Sequence, residues 1–217
     1  MRTRQSTTDN PNEVRDRIRD AALQTFSENG FDGAKTRQIA DRANVPLGLL
    51  RYYFGDKLKL WQAAVDHAFV EIRGNIEIAA GQTSIDSDDP TAAIRAGIRA
   101  HIQYVGRHPE FVRLMHEEGK RKGPRMRWLV DRHVKPLFEG LIPVIAHLQR
   151  IDRLPKDIDP LHFAYAVIGA TDVIFHQAEE CRRVTGTNPS DPAVIEAHSR
   201  AVEFMLLGPP PKDSDRA

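Results

Sequence analysis

Between Thr36 and Phe54 the chain places two short apolar patterns, Ile39-Ala40-Ala43 and Leu50-Phe54, on either side of Asn44-Val45-Pro46. Neither half is long enough to be stable as an isolated helix, so each must be held by packing. Ala40 is small enough for close helix approach. Asn44 stands where the chain must turn sharply, and Asn tolerates the left-handed conformation better than most residues. Val45 plugs the corner, and Pro46 opens the second helix with a preset φ and no wasted N–H. Leu50 and Phe54, four apart, hold that second helix to its domain. These constraints predict two short helices at a tight turn.

The rest of the chain is also helical in pattern. No sustained period-two run of β-branched residues occurs, and the fold class predicted is all-α. Asn10 caps a first helix begun by Pro11, with Val14, Ile18, Ala21, Ala22 and Phe26 on one face and Gly30 as its stop. Further helices are predicted over Asp56 to Ala80, Pro90 to Arg107, Pro109 to Glu118, Pro124 to Arg150, Pro160 to Val184 and Pro192 to Leu207. Pro136 and Pro143 should bend the fourth of these six. The polar break Gly81 to Pro90 and the loop Gly119 to Gly123 separate them. Residues 1–56 are expected to form one domain, 57–207 a second, and 208–217 a disordered tail.

In the first short helical pair, the outward side of the second helix carries Leu47, Gly48, Leu49, Arg51, Tyr52 and, near its end, Tyr53. A buried apolar core alone would be poorly served by Arg51, Tyr52 and Tyr53, whose polar ends need partners. Two helices at a tight turn with the outer face of the second left free describe a helix-turn-helix, whose second helix fits the major groove of DNA. Hydroxyls, cations and helix N-termini then meet phosphates. Charge agrees in sign: residues 1–60 hold eleven Lys/Arg against eight Asp/Glu, and residues 151–217 hold seven against eleven.

The run Ala21 to Lys57, with Gly30-Phe31, Ile39-Ala40, Val45, Gly48, Leu50, Tyr53-Phe54 and Lys57, resembles the DNA-binding domain of the tetracycline-repressor (TetR/AcrR) family of bacterial regulators. The resemblance implies phosphate contacts from Thr36, Tyr52, Tyr53 and Lys57, with Arg37 beside them. It also implies base approach at Leu47 and Gly48, with Leu49 beside them in the DNA-binding set. Arg51 stands where the family often has tyrosine, within reach of phosphate or a guanine edge. Pro46-Leu47 replaces the family's common Ser-Lys, exchanging a hydroxyl and a cation for an apolar contact such as a thymine methyl. Arg2 and Arg4 are candidates for a minor-groove arm, with a disordered segment as the plainer reading.

A single such module makes few base contacts, so double-stranded operator DNA calls for a homodimer on half-sites about 34–36 Å apart or a multiple of that. Pro160 to Glu180 is apolar around most of its circumference, and Ala166, Gly169 and Ala170 admit a close partner helix beside Val173. Val194, Val202 and Met205 add a companion face. The resemblance implies dimerisation through the last two long helices and a pocket for a small-molecule effector among the middle ones. His101, Tyr104, Phe111, Met115, Trp128, Phe138 and Tyr165 are its candidate lining, and a repressor released from a palindromic operator is the implied activity. A protein partner, or oxidation of Cys181 beside Arg182 and Arg183, is the alternative means of control.

Lys120, Arg121, Lys122, Arg125 and Arg127 lie in a stretch without acids, read as a solvated interhelical loop in preference to a lure for anions. Enzymatic and metal readings find little support. His67 with Glu71 and His176 with Glu180 share helical faces, but neither belongs to a His-Glu-x-x-His pattern and no third ligand is evident. No Gly-x-Ser-x-Gly elbow or phosphate loop occurs, so neither an enzyme nor a cofactor is expected. One cysteine excludes an intrachain disulfide. Without an apolar span or leader-like N-terminus, cytoplasmic residence and no membrane partner are the expectation.

Overall fold

The computed structural model describes residues 10–83 and 89–209; Arg2, Arg4, the middle of the polar break and the end of the tail lie outside them. Among the described residues all regular structure is helical. The helices are α1 (Pro11–Gly33), α2 (Thr36–Arg42), α3 (Leu47–Phe54), α4 (Lys57–Gly81), α5 (Ala92–Arg107), α6 (Pro109–Gly119), α7 (Pro124–Leu129), α8 (Lys135–Arg150), α9 (Pro160–His176), α10 (Ala178–Thr185) and α11 (Pro192–Leu207). The chain divides into two compact units, the first ending at Ala68 and the second beginning at Phe69, within α4.

In the first unit, Asn10 caps α1 as anticipated: its side chain accepts the Asn12 N–H at 3.1 Å. Gly30 interrupts the helical path at φ 66°, a region only glycine enters cheaply. Ile18, Ala22 and Phe26 of α1 are buried with Ile39 and Ala40 of α2, Leu50 and Phe54 of α3, and Leu60, Trp61 and Ala64 of α4. Phe31 stacks on Phe26 and meets Trp61 edge-on.

The turn between α2 and α3 is a Schellman closure. Val45 N–H donates to Ala40 O at 3.0 Å, Asn44 N–H donates to Asp41 O at 3.1 Å, and Asn44 sits at φ 54°. Pro46 is the residue preceding α3, not its first helical residue.

The second unit is organised around α9, which packs against α5, α6, α8, α10 and α11. Phe163, Ala164, Val167 and Phe175 of α9 enter the core. The tightest packing joins α5 to α11: a Cβ on Gly106 would lie 2.7 Å from Ile195 side-chain atoms and 3.1 Å from Phe175. His198 on α11 ties it to α9, with Nε2 2.9 Å from Ala170 O. A carbonyl only accepts, so Nε2 carries the proton.

Three expected elements differ. The helix expected over Pro160 to Val184 breaks at Gln177, whose φ/ψ of −96°/35° leaves the helical region. The helix expected over Pro124 to Arg150 becomes α7, a π-helical turn (Val130–Val134) and α8. Pro136 has no N–H to give Arg132 O, and its ring would crowd that carbonyl. The wider turn, with Lys135 N–H reaching back to Val130 O, gives it room. Finally, Arg125 in the supposedly solvated basic stretch contacts buried Glu118 through two nitrogens, each at 3.3 Å.

Four measurements test this packing. Gly106→Ala should lower the melting temperature, because overpacking at a core contact costs about 1–3 kcal/mol. Gly74→Ala, whose Cβ meets nothing within 4 Å, should raise it through helix propensity worth up to about 1 kcal/mol. At the turn, Asn44→Val should destabilise by roughly 1–2 kcal/mol and Asn44→Gly should not, the left-handed conformation being the difference. Burial lowers the His198 pKa below its ordinary 6.5, against the opposing Ala170 bond. As pH falls below that value the unfolded chain takes up a proton that the folded chain resists. Stability should therefore decline with acidification until the folded value is passed, and His198→Gln should flatten this decline in a melting-temperature series.

Candidate functional site

The outer surface of α3 follows from the anchoring of its inner one. Leu50 and Phe54 are buried, and the helical period turns Leu47, Gly48, Arg51 and Tyr52 outward. Leu47 is 48% exposed and Tyr52 78% exposed, unusual for large apolar or aromatic groups in a well-packed unit. Gly48 leaves open space beside the helix, with nothing within 4 Å of an added Cβ. Leu49 is part-buried.

Thr36, Leu47, Gly48, Arg51, Gly55, Asp56 and Lys57 line one groove of about 390 Å³. Five of the residues expected from sequence thus converge, although twenty-one positions separate Thr36 from Lys57 in the chain. Thr36 opens α2 and Lys57 opens α4, so both stand where helix N–H groups favour anions. Arg37 is exposed beside Thr36. Residues that sequence reasoning left out of the groove are Gly55, at φ 78°, and Asp56, which accepts the Lys59 N–H at 2.8 Å.

Two side chains are more constrained than their sequence context suggested. Lys57 Nζ donates to Asp32 O at 3.2 Å and sits 5.0 Å from the centre of the Phe31 ring. Two of its three donors are left for an incoming acceptor. Tyr53 is part-buried, flanked by Tyr52 and Phe54, with the Arg15 guanidinium 5.9 Å from its ring centre. Tyr52 is the freer of the two tyrosines.

The candidate effector residues separate into two groups. Tyr104 and Phe111 are buried and meet at 5.9 Å, and Phe111 meets Phe69 edge-on at 5.2 Å. Phe69 lies flat against His133 at 4.2 Å, and His133 meets Trp128 at 5.4 Å. This aromatic chain extends the sequence-based set by Phe69 and His133. His133 is buried because the π-helical turn swings it inward, a displacement no regular helical period foretells. Met115 is part-buried on α6, and His101 Nε2 lies 2.7 Å from an oxygen of Asp172. Phe138 and Tyr165 do not join the group. They pair with one another at 5.0 Å, and Tyr165 is 60% exposed on α9.

Of the candidate dimer residues, Ala166, Gly169 and Val173 are exposed on α9 with Leu161, and Met205 is exposed on α11 with Phe204. Ala170 and Val194 are part-buried. Val202 is 1% exposed and belongs to the core of its own chain, because α11 turns that residue inward against the second unit.

Cys181 is part-exposed, 3.7 Å from Thr185 Oγ1, while Arg182 and Arg183 both engage Glu179. His67 lies 4.0 Å from Asp20, and Glu71 accepts from Tyr104 OH at 3.3 Å. Among the described residues no cluster of three His, Cys, Asp or Glu side chains is arranged to hold a metal. No described helix is long and apolar enough to cross a membrane.

Comparison with known proteins places this geometry. Residues 18–64 match the family model described as bacterial regulatory proteins, tetR family, and residues 90–205 match the tetracyclin repressor-like C-terminal domain. The chain is 29% identical over 190 residues to the HTH-type transcriptional regulator RutR of Escherichia coli K12, covering 88% of this chain and 87% of RutR. It is 32% identical over 114 residues to the HTH-type transcriptional repressor NicS of Pseudomonas putida, a match spanning 52% of each chain. The solved structure of AibR in complex with isovaleryl coenzyme A and operator DNA shares the fold at a TM-score of 0.70 and 16% identity, covering 90% of this chain and 99% of that one. With its helix-turn-helix unit and its helical second unit both matched, the chain belongs to the tetR family of DNA-binding bacterial transcriptional regulators.

Proposed function

We propose that the protein is a homodimeric repressor that holds a palindromic operator and releases it when a small-molecule effector binds the second unit. The observation that carries this reading is the groove in which Thr36, Leu47, Gly48, Arg51 and Lys57 meet around α3. An apolar contact, an open backbone and a guanidinium share the face that enters the major groove. Thr36, Arg37, Tyr52, Tyr53 and Lys57 surround it with groups suited to phosphate. Arg51 follows Leu47 by four residues, so the two stand on one side of α3 and address neighbouring base pairs.

The exposed apolar face of α9 and the end of α11 supply the dimer surface. Leu161, Tyr165, Ala166, Gly169 and Val173, with Phe204 and Met205, form the kind of apolar area that a second copy would cover. Effector binding is assigned to the region of Tyr104, Phe111, Met115, Trp128 and His101. For an effector to release DNA it must bind the released arrangement of the dimer more tightly than the bound one.

Two experiments follow. Selection of bound genomic fragments, then titration of variants, should show Tyr52→Phe and Lys57→Ala weakening all sequences alike and reducing the salt slope. Arg51→Ala should also relax preference at one base pair, at about 1–3 kcal/mol; affinity loss with unchanged preference makes Arg51 a phosphate clamp only. Gly169→Leu, at a position where an added Cβ meets nothing within 4 Å in its own chain, should yield folded monomers by sedimentation and abolish tight operator binding. A Gly169→Leu protein that remains dimeric would remove α9 from the interface.

A further inference from the structure

We propose that Arg113, His116 and His176 form a recognition site for a small oxyanion, the carboxylate or phosphate head of the effector; this rests on the effector-responsive reading above. Arg113 is part-buried on α6, between Val112 and Leu114 of the core. Its Nε is buried with no hydrogen-bond partner. The neighbouring part-buried arginines of this unit each have an acid or carbonyl partner, although Arg95 Nε, like Arg113 Nε, has no hydrogen bond of its own. Arg99 is clamped by Glu196 and Glu203, Arg95 reaches Asp89 and Gly208 O, and Arg125 takes Glu118. A guanidinium out of water is costly without an acceptor, and Nε–H can only donate.

A second orphan lies beside it. The imidazoles of His116 on α6 and His176 at the end of α9 stack at 4.0 Å with planes 11° apart. His176 Nδ1 is buried and, like Arg113 Nε, has no hydrogen-bond partner. Arg113, His116 and, just past the end of α6, Lys120 follow one another at helical spacing, so two cations flank an imidazole along one side. Of the acids at helical spacing from Arg113, Glu117 is taken by Lys120 at 2.8 Å and Glu110 lies 3.2 Å from His108.

The electrostatic consequence is felt at His176. Its pKa is lowered, first by burial and then by His116, Lys120 and Arg113, with Glu117 opposing. Farther along the chain, Asp172 is occupied by His101 and Thr171, and Glu179 by Arg182 and Arg183. The local field is therefore positive, and two buried nitrogens stand without partners: Arg113 Nε–H needs an acceptor, and His176 Nδ1 donates to one in the tautomer that carries its proton there. An oxyanion accepts from both and also neutralises the surrounding positive charge, whereas a neutral carbonyl accepts without compensating the charge and a cationic head is repelled.

The full-length protein should be stabilised in thermal-shift and calorimetric titrations by benzoate or hexanoate at millimolar concentration, and not by benzamide or hexanamide. Inorganic phosphate runs as a parallel arm: response to phosphate alone assigns a phosphoester head, response to the acids alone a carboxylate. Arg113→Gln should weaken anion binding about tenfold or more, as loss of a charge-assisted hydrogen bond predicts. Arg113→Lys should recover part of it, and His176→Gln should give an intermediate loss. Arg200→Gln, on the exposed side of α11, should bind like the parent. Equal stabilisation by acids and amides, unchanged affinity in Arg113→Gln, or no response to any oxyanion would overturn the proposal. So would dissociation of the Arg113→Gln dimer with anion affinity intact. Operator binding measured without any added compound tests the regulator reading separately, so the two can fail independently.

Discussion

The seating of α3 by Leu50 and Phe54 is the contact on which the surface proposed to face DNA depends. Those two side chains, one helical turn apart, are buried with Ile39, Ala40 and Phe26, and that burial fixes the rotation of the helix about its own axis. A helix of eight residues has no stability of its own to spare. Once its inner face is locked, the outward direction of Leu47, Gly48, Arg51 and Tyr52 is a geometric consequence. The Schellman closure at Asn44 then sets the angle at which α3 leaves α2, because the two backbone bonds from Asn44 and Val45 leave the chain no other exit.

The second unit solves a different problem. Its central helix α9 is apolar on more faces than one neighbour can cover, and α5, α6, α8 and α11 surround only part of it. The rest, from Leu161 to Val173, remains at the surface. Buried polar groups are neutralised pairwise: Arg99 with Glu203, Arg125 with Glu118, His101 with Asp172. Each pair costs desolvation, and each is tolerable because donor and acceptor arrive together. Against that background the buried Nε of Arg113, with Glu117 drawn off by Lys120, stands without an acceptor.

Local conformation and the proposed effector region are linked most directly at the π-helical turn. Regular α-helical continuation would give His133 a different azimuth. The extra residue per turn that accommodates Pro136 brings its ring flat onto Phe69 of α4. A proline placed for backbone reasons thereby completes the aromatic chain from Tyr104 to Trp128.

Much of this was legible in the residues themselves. Periodicity, proline positions and caps identify the all-helical class and nearly every helix, because these signals act within a few residues of chain. The α2–α3 turn and the outward set on α3 were equally readable, since apolar anchors four apart dictate which side is free. Contacts between residues distant in sequence were not. Whether Val202 faces its own core or a partner, whether Tyr165 joins Tyr104 or Phe138, and which acid meets Arg125 depend on how helices pack. Helical spacing names a face but not its neighbour, and only tertiary packing decides which face is covered, which charge is paired and which nitrogen is left waiting.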